Sequence, residues 1–155
     1  MTHATDPRVP PLSIVFGYGP MLPLVAAAMG AWFLPSPWPL LAVQLAVTWA
    51  ALILAFIGGV RRGFGFGQDR ASTAAEIVAA VAYVALAGLA LVVPRASAAL
   101  ALLVVGYLIA ATLDARAARA GNAPLHFARL RPPQLTLGAV SLAALWAWLL
   151  FGGPA

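Results

Sequence analysis

The segment PLLAVQLAVTWAALILAFIGGVRR, residues 39–62, is the clearest indication of the architecture of this chain. Its first 22 residues carry no charged side chain, and the run stops at Arg61-Arg62. An α-helix rises 1.5 Å per residue, so a helix of this length is about 33 Å long, close to the ~30 Å thickness of the hydrocarbon core of a membrane. The stretch therefore predicts a helix over residues 39–60 that crosses a lipid bilayer.

Four further apolar runs of similar length flank this one, at residues 12–34, 74–93, 96–113 and 135–151. Of the 155 residues, 63% are hydrophobic and only 8% are charged, whereas a soluble domain carries roughly 25% charged residues. Lipid offers the backbone no hydrogen-bond partner and nothing alternates with period two, so helices are expected rather than strands. The prediction is an all-α integral membrane bundle of five transmembrane helices, a single domain over residues 12–151 that follows a polar arm at residues 1–11.

Arginines are concentrated on one side of this predicted bundle. All nine basic residues are arginine, and only Arg95 falls on the other side. The eight on the first side are Arg8, Arg61, Arg62, Arg70, Arg116, Arg119, Arg129 and Arg131. Cytoplasmic loops carry an excess of basic residues, so the N-terminus is predicted to be cytoplasmic and the C-terminus periplasmic. Orientation also explains the net charge of +5, and no nucleic-acid partner is expected.

Tryptophan positions agree with this orientation. Trp32, Trp38, Trp146 and Trp148 fall near the arginine-poor side, where an interfacial belt of aromatic rings is typical. Trp49 is the exception, because it lies in the middle of the second run.

The first apolar run contains helix-disturbing residues. Gly19, Pro20 and Pro23 predict a kink in this helix, which serves packing or, in the less favoured interpretation, shapes a polar cavity. A cleaved signal peptide is the alternative for the whole run, and the run is long for one.

The charged side chains near the apolar runs lie at their arginine-rich ends. Arg61 and Arg62 follow the second run, Glu76 begins the third after Thr73 in a capping-box spacing, and Asp114 follows the fourth. We expect Arg61 or Arg62 to pair with Asp114 or Glu76. The favoured interpretation is a stabilising ion network, and the alternative is a cytoplasm-facing site for an anion or a lipid headgroup.

Few residues of this chain could bind a cofactor or a metal ion. The chain has no cysteine, and its two histidines, His3 and His126, lie outside the apolar runs. Neither a haem between helices nor a metal centre is expected, because both need ligands held together on fixed elements. No Ser-His-Asp set, carboxylate pair or HExxH motif occurs, so no catalytic residue is predicted.

Three stretches together resemble the DUF3429 family, which includes mitochondrial transmembrane protein 69. Residues 19–23, GPMLP, are similar to the family's glycine-proline motif in the first helix, and residues 56–63, FIGGVRRG, to its Phe-Leu-Gly-Gly motif at the end of the second. The third stretch carries Tyr107, Asp114, Pro124, Leu130-Arg131 and Leu135-Thr136. The chain departs from the family where Arg62 and His126-Phe127 stand near its usual tryptophans.

The resemblance implies an energy-transducing membrane, here the bacterial inner membrane, and implies no established activity. The matching residues gather at the arginine-rich helix ends, so a working surface is expected there. Its candidate residues are Gly58, Gly59, Arg61, Arg62, Glu76, Asp114, Pro124, His126, Arg129 and Arg131.

Three functions fit these observations. The first is a non-catalytic accessory subunit or assembly factor of a respiratory or photosynthetic complex, in contact with lipids and with a protein partner or further copies of itself. The second is a small oligomeric transporter or channel, suggested by the kinked first helix, the polar pair Gln44 and Thr48, and the cytoplasmic arginine cluster. For Gln44 and Thr48 themselves, an interhelical hydrogen bond is favoured over contact with a substrate. The third, least favoured, is an interfacial enzyme acting on lipid or quinone.

Overall fold

The computed structural model describes residues 9–64 and 73–152, and within them the chain forms helices and no strand. The elements are α1 (Pro11–Tyr18), a 3-10 turn (Gly19–Met21), α2 (Leu22–Phe33), α3 (Trp38–Phe64), α4 (Ala74–Val92), α5 (Ala96–Arg119) and α6 (Phe127–Phe151). Residues 1–8 of the predicted arm, with Arg8, and the loop that contains Arg70 lie outside the described residues.

Five segments are long and apolar enough to cross a membrane, which confirms the predicted number of spans. The first combines α1, the 3-10 turn and α2 over Pro11–Phe33, and the others correspond to α3, α4, α5 and α6. Large apolar side chains cover the outside of the bundle, among them Phe16 and Phe56, which are 75% and 69% exposed. Such a surface suits hydrocarbon rather than water, so the architecture is that of a multi-pass membrane protein.

The predicted kink in the first span is present. The helix tightens to 3-10 geometry over Gly19–Met21, where Pro20 supplies no N–H, and Pro23 then occupies the first turn of α2. The indole N–H of Trp49 on α3 donates to the Pro20 carbonyl oxygen at 2.8 Å. The tryptophan in mid-helix thus satisfies a backbone acceptor at the break in the neighbouring span.

The third span begins as predicted. Thr73 precedes α4, its hydroxyl accepts from the Glu76 N–H at 3.3 Å, and the Glu76 carboxylate accepts from the Thr73 N–H at 2.9 Å. This reciprocal capping satisfies two donors that the first turn of a helix leaves open.

The fourth span is longer than predicted, because α5 continues past residue 113 to Arg119. Alanine-rich sequence favours helix, and Ala115 and Ala118 are buried against the bundle. The helix ends where Gly121 adopts φ +78°, with the Asn122 N–H bonded to the Ala117 carbonyl at 2.9 Å. Asp114 therefore lies inside a helix and not in a loop.

The fifth span is also longer than predicted. We expected a loop up to residue 134, but α6 starts at Phe127 and runs through Pro132 and Pro133. Proline normally ends a helix, yet here Leu130 and Arg131, just before the pair, are buried in the bundle. Packing of this turn outweighs the two missing backbone donors, and it brings Arg131 into the interior.

Small residues let the helices approach closely in the core. A Cβ atom on Gly138 of α6 would lie 2.6 Å from Cε1 of Tyr107 and 2.9 Å from Sδ of Met21. The Tyr107 hydroxyl in turn donates to the Ala50 carbonyl of α3 at 3.2 Å. Apolar burial alone gives little in lipid, so such close contacts and interhelical hydrogen bonds carry the packing.

A candidate functional site at the arginine-rich end

Asp114 on α5 is the centre of a buried polar cluster. Its Oδ1 accepts a hydrogen bond from Arg61 of α3 at 2.7 Å and another from the Tyr83 hydroxyl of α4 at 3.1 Å. The Arg61–Asp114 pair confirms the predicted pairing. Three helices thereby meet on one carboxylate.

Arg131 of α6 adds a fourth helix to this arrangement. Its Nε lies 3.7 Å from Asp114 Oδ2, an ion pair too long for a hydrogen bond, and its guanidinium lies 4.6 Å from the ring centroid of Phe127. We refer to Arg61, Tyr83, Asp114 and Arg131 as the Asp114 cluster. Its three charged side chains are only 10%, 7% and 9% exposed for Arg61, Asp114 and Arg131.

The Asp114 cluster carries an excess positive charge. Its two guanidiniums share one carboxylate, so the side chains of the cluster itself sum to +1. Several polar atoms are also unsatisfied: Nε of Arg61, Nε of Arg131 and Oε1 of Gln134 are buried with no hydrogen-bond partner. Buried polar groups normally find partners, and two of these atoms, on Arg131 and Gln134, belong to the α6 side of the cluster.

That side borders a groove of about 410 Å³ between α1, α3 and α6, which we call the lateral groove. Its α3 wall is one helix face, formed by Trp49, Leu52, Ile53, Phe56, Ile57 and Val60. Arg131 and Gln134 of α6 supply polar atoms, and Ser13 and Gly17 of α1 lie opposite. The exposed side chains of Phe16 and Phe56 place the opening on the outer surface of the bundle.

The other predicted site residues have different roles. Gly58 is a packing position, since a Cβ there would lie 3.0 Å from the Ala80 carbonyl oxygen of α4, while Gly59 faces open space. Glu76 is buried and caps α4, and Arg62 is half-buried beside Arg61 at the end of α3.

The remaining predicted residues lie in or beside the turn before α6. The Pro124 carbonyl accepts from the Phe127 N–H at 2.9 Å, and His126 contacts the Phe127 ring edge to face at 4.9 Å. Arg129 is exposed. Partial burial and then the charge of Arg131 lower the pKa of His126 below its ordinary value.

Two site residues were missed from sequence. Tyr83 is a single polar residue within the third apolar run, seven residues from Glu76 and on the same face of α4. Gln134 falls outside the predicted fifth run, which begins at residue 135. Neither residue carried a signal beyond polarity.

The polar pair Gln44 and Thr48 lies elsewhere. The Thr48 hydroxyl donates to the Gln44 carbonyl of its own helix at 3.1 Å, and both side chains are exposed on the outside of α3. The interhelical hydrogen bond that we favoured for this pair is therefore wrong.

Metal ligands do not converge among the residues that the structure describes: no group of three His, Asp or Glu side chains there could hold an ion. The Asp114 cluster can hold helices together through its ion pairs, and its excess positive charge can attract an anion.

Fold and site together define a helical membrane protein of five spans with a buried ion cluster at one end. The chain belongs to the DUF3429 family, described as a protein of unknown function, whose model matches residues 9–150. No curated protein and no solved structure matched the chain.

Proposed function

We propose that this chain is a non-catalytic protein of the bacterial inner membrane that serves as an accessory subunit or assembly factor of a larger respiratory or photosynthetic complex. The observation that supports this role is the Asp114 cluster, in which the buried charged side chains contact one another and, with Tyr83, connect four helices. A rigid end of this kind is suited to docking against another protein.

The contacts of Asp114 favour this role over an interfacial enzyme. A general acid or base must come within hydrogen-bond reach of the substrate proton that it transfers. One oxygen of Asp114 already accepts from Arg61 and Tyr83, and the other faces Arg131. The carboxylate thus acts as an ion-pair acceptor between two cations.

The proposal includes the orientation. Arg61 and Arg62 at the end of α3 and Arg116 and Arg119 at the end of α5 share one end of the bundle, and Arg95 lies at the other. The positive-inside rule makes the arginine-rich end cytoplasmic.

Orientation is directly testable, because the chain contains no cysteine. An impermeant maleimide applied to spheroplasts is expected to label the Ser36→Cys variant, whose site precedes α3, and to leave the Ala120→Cys variant unlabelled until the membrane is opened. The reverse pattern would refute the orientation.

Co-purification from native membranes tests the role itself. We expect the tagged full chain to migrate on native gels in one band with subunits of a single respiratory or photosynthetic complex, in constant ratio. The Arg95→Gln variant, altered at the opposite end, should retain this association. A chain that is always alone in mild detergent contradicts the proposal.

A further inference from the structure

We propose that the lateral groove is a binding site for one anionic phospholipid of the phosphatidylglycerol type, with its phosphate on Arg131, its headgroup hydroxyl on Gln134 and one acyl chain along α3. This inference goes beyond the proposed role as a subunit, since it concerns a lipid ligand and requires no protein partner.

One end of the lateral groove is positively charged. The Asp114 cluster sums to +1 in a buried position, and Arg131 is the member that lines the groove. Its Nε faces Oδ2 of Asp114 at 3.7 Å without a hydrogen bond, and the rest of its guanidinium fork offers donors that match phosphate oxygens. A phosphate at this end of the groove would add a negative charge beside Arg131 and accept hydrogen bonds from these donors.

A buried hydrogen-bond acceptor on Gln134 lies beside this charge. Gln134 is 4% exposed, and its Oε1 has no hydrogen-bond partner. It lies one turn from Arg131 on the same face of α6, and a Cβ on Gly17 would lie 3.3 Å from it. A buried acceptor next to a cation suits a headgroup that presents a hydroxyl donor beside its phosphate, as glycerol does and choline does not.

The lateral groove is polar at one end and apolar along the rest of its length. Arg131 and Gln134 lie near the beginning of α6, at the arginine-rich end, whereas the α3 wall extends from Val60 to Trp49, a distance of about 16 Å at 1.5 Å per residue. The polar atoms are thus at one end of the groove and an apolar wall extends from them toward mid-membrane. This is the polarity profile of a phospholipid in that leaflet, and the opening on the outer surface allows entry from the bilayer.

Native mass spectrometry of the purified full chain tests the proposal. The protein is titrated separately with phosphatidylglycerol, with phosphatidylcholine of the same acyl chains, and with palmitate. We expect one phosphatidylglycerol to bind, retained about tenfold better than phosphatidylcholine, because it alone brings a net negative charge to Arg131 and a hydroxyl to Gln134, and one hydrogen bond is worth up to about this factor. Equal retention of the two phospholipids, or stronger retention of palmitate, overturns the assignment.

Two variants locate the site and one serves as the control. Arg131→Gln should lose the preference for phosphatidylglycerol. Ser13→Trp, at a half-buried position on the α1 wall, should block the groove and leave the Asp114 cluster intact. Arg95→Gln removes an exposed arginine at the other end of the bundle and should bind as the wild type does.

The Ser13→Trp variant keeps the proposal testable if Arg131→Gln does not fold. A folded Ser13→Trp chain that binds phosphatidylglycerol like the wild type refutes the lateral groove as the site. Because the assay uses isolated protein and lipid, its failure leaves co-purification of a protein complex untouched, and the two proposals can fail separately.

Discussion

The guanidinium of Arg61 and the carboxylate of Asp114 lie 2.7 Å apart across 53 residues of sequence, and both side chains are at most 10% exposed. The pair joins the end of α3 to α5, and Tyr83 and Arg131 extend the connection to α4 and α6. Asp114 is therefore the shared acceptor that connects four helices near this end of the bundle.

Substitution Asp114→Asn should strongly destabilise the protein. Removal of one member of a buried ion pair leaves the other charge uncompensated and typically costs about 3–5 kcal/mol, and here two arginines would be left. We expect a lower folded yield and a lower midpoint of thermal unfolding in detergent.

The double variant Asp114→Asn with Arg61→Gln supplies the control. It removes one of the stranded charges and should be less destabilised than the two single effects added together. Unchanged yield and thermal stability of Asp114→Asn would contradict a structural role for the cluster.

Glycine substitutions should separate the close helix contact from the open surface. In Gly138→Ala the new methyl group meets Tyr107 and Met21 at under 3 Å, and overpacking of this kind costs about 1–3 kcal/mol. In Gly88→Ala on α4 no atom lies within 4 Å of the new Cβ, so thermal stability should stay equal or rise slightly, since alanine favours helix. Equal unfolding midpoints for the two variants would argue against the contact.

Substitution Trp49→Phe should loosen the break in the first span. It keeps an aromatic ring but removes the N–H that donates to the Pro20 carbonyl, at a cost of about 1 kcal/mol for a hydrogen bond of this kind. Hydrogen exchange at Gly19–Met21 should become faster. Trp38→Phe, altered at the exposed first residue of α3, is the control, and its exchange at these residues should match the wild type. Equal exchange in the two variants would show that Trp49 does not stabilise the break.

Stability should fall slightly as the pH is lowered through the titration range of histidine. The pKa of His126 is lowered by partial burial and by Arg131, so protonation is harder in the folded chain than in the unfolded one. The stabilising effect is therefore present above the unfolded-state pKa and is lost as the pH falls through the folded-state value. Because His126 is mostly accessible, the effect should be small.

Thermal unfolding between pH 5 and pH 8, roughly the range in which histidine titrates, measures this dependence. The His126→Gln variant should show a flatter profile than the wild type. An upward shift of the His126 pKa in Arg131→Gln, followed by NMR, would confirm the contribution of the arginine. No shift would assign the effect to burial alone.

Hydropathy and length were sufficient to predict the five spans, because a segment in lipid must satisfy its own backbone and only a long apolar helix does so. The capping box at Thr73 and Glu76 was predictable for a similar reason, since it uses residues three apart. The kink at Gly19 and Pro20 follows from backbone geometry that these residues impose locally.

Helix ends were less predictable where local preference and packing disagree. Pro132 and Pro133 indicate a break, and only the burial of Leu130 and Arg131 shows why α6 begins before them. The same extension makes Arg131 and Gln134 interior residues and creates the polar end of the lateral groove.

The number of spans and the asymmetric distribution of arginine could thus be read along the chain, because both depend on what a single segment presents to lipid and water. The pairing of Arg61 with Asp114, the hydrogen bond from Tyr83 and the hydrogen bond from Trp49 to Pro20 became visible only in the folded bundle. These contacts connect residues 29 to 53 positions apart, and their partners depend on how the helices rotate and pack against one another.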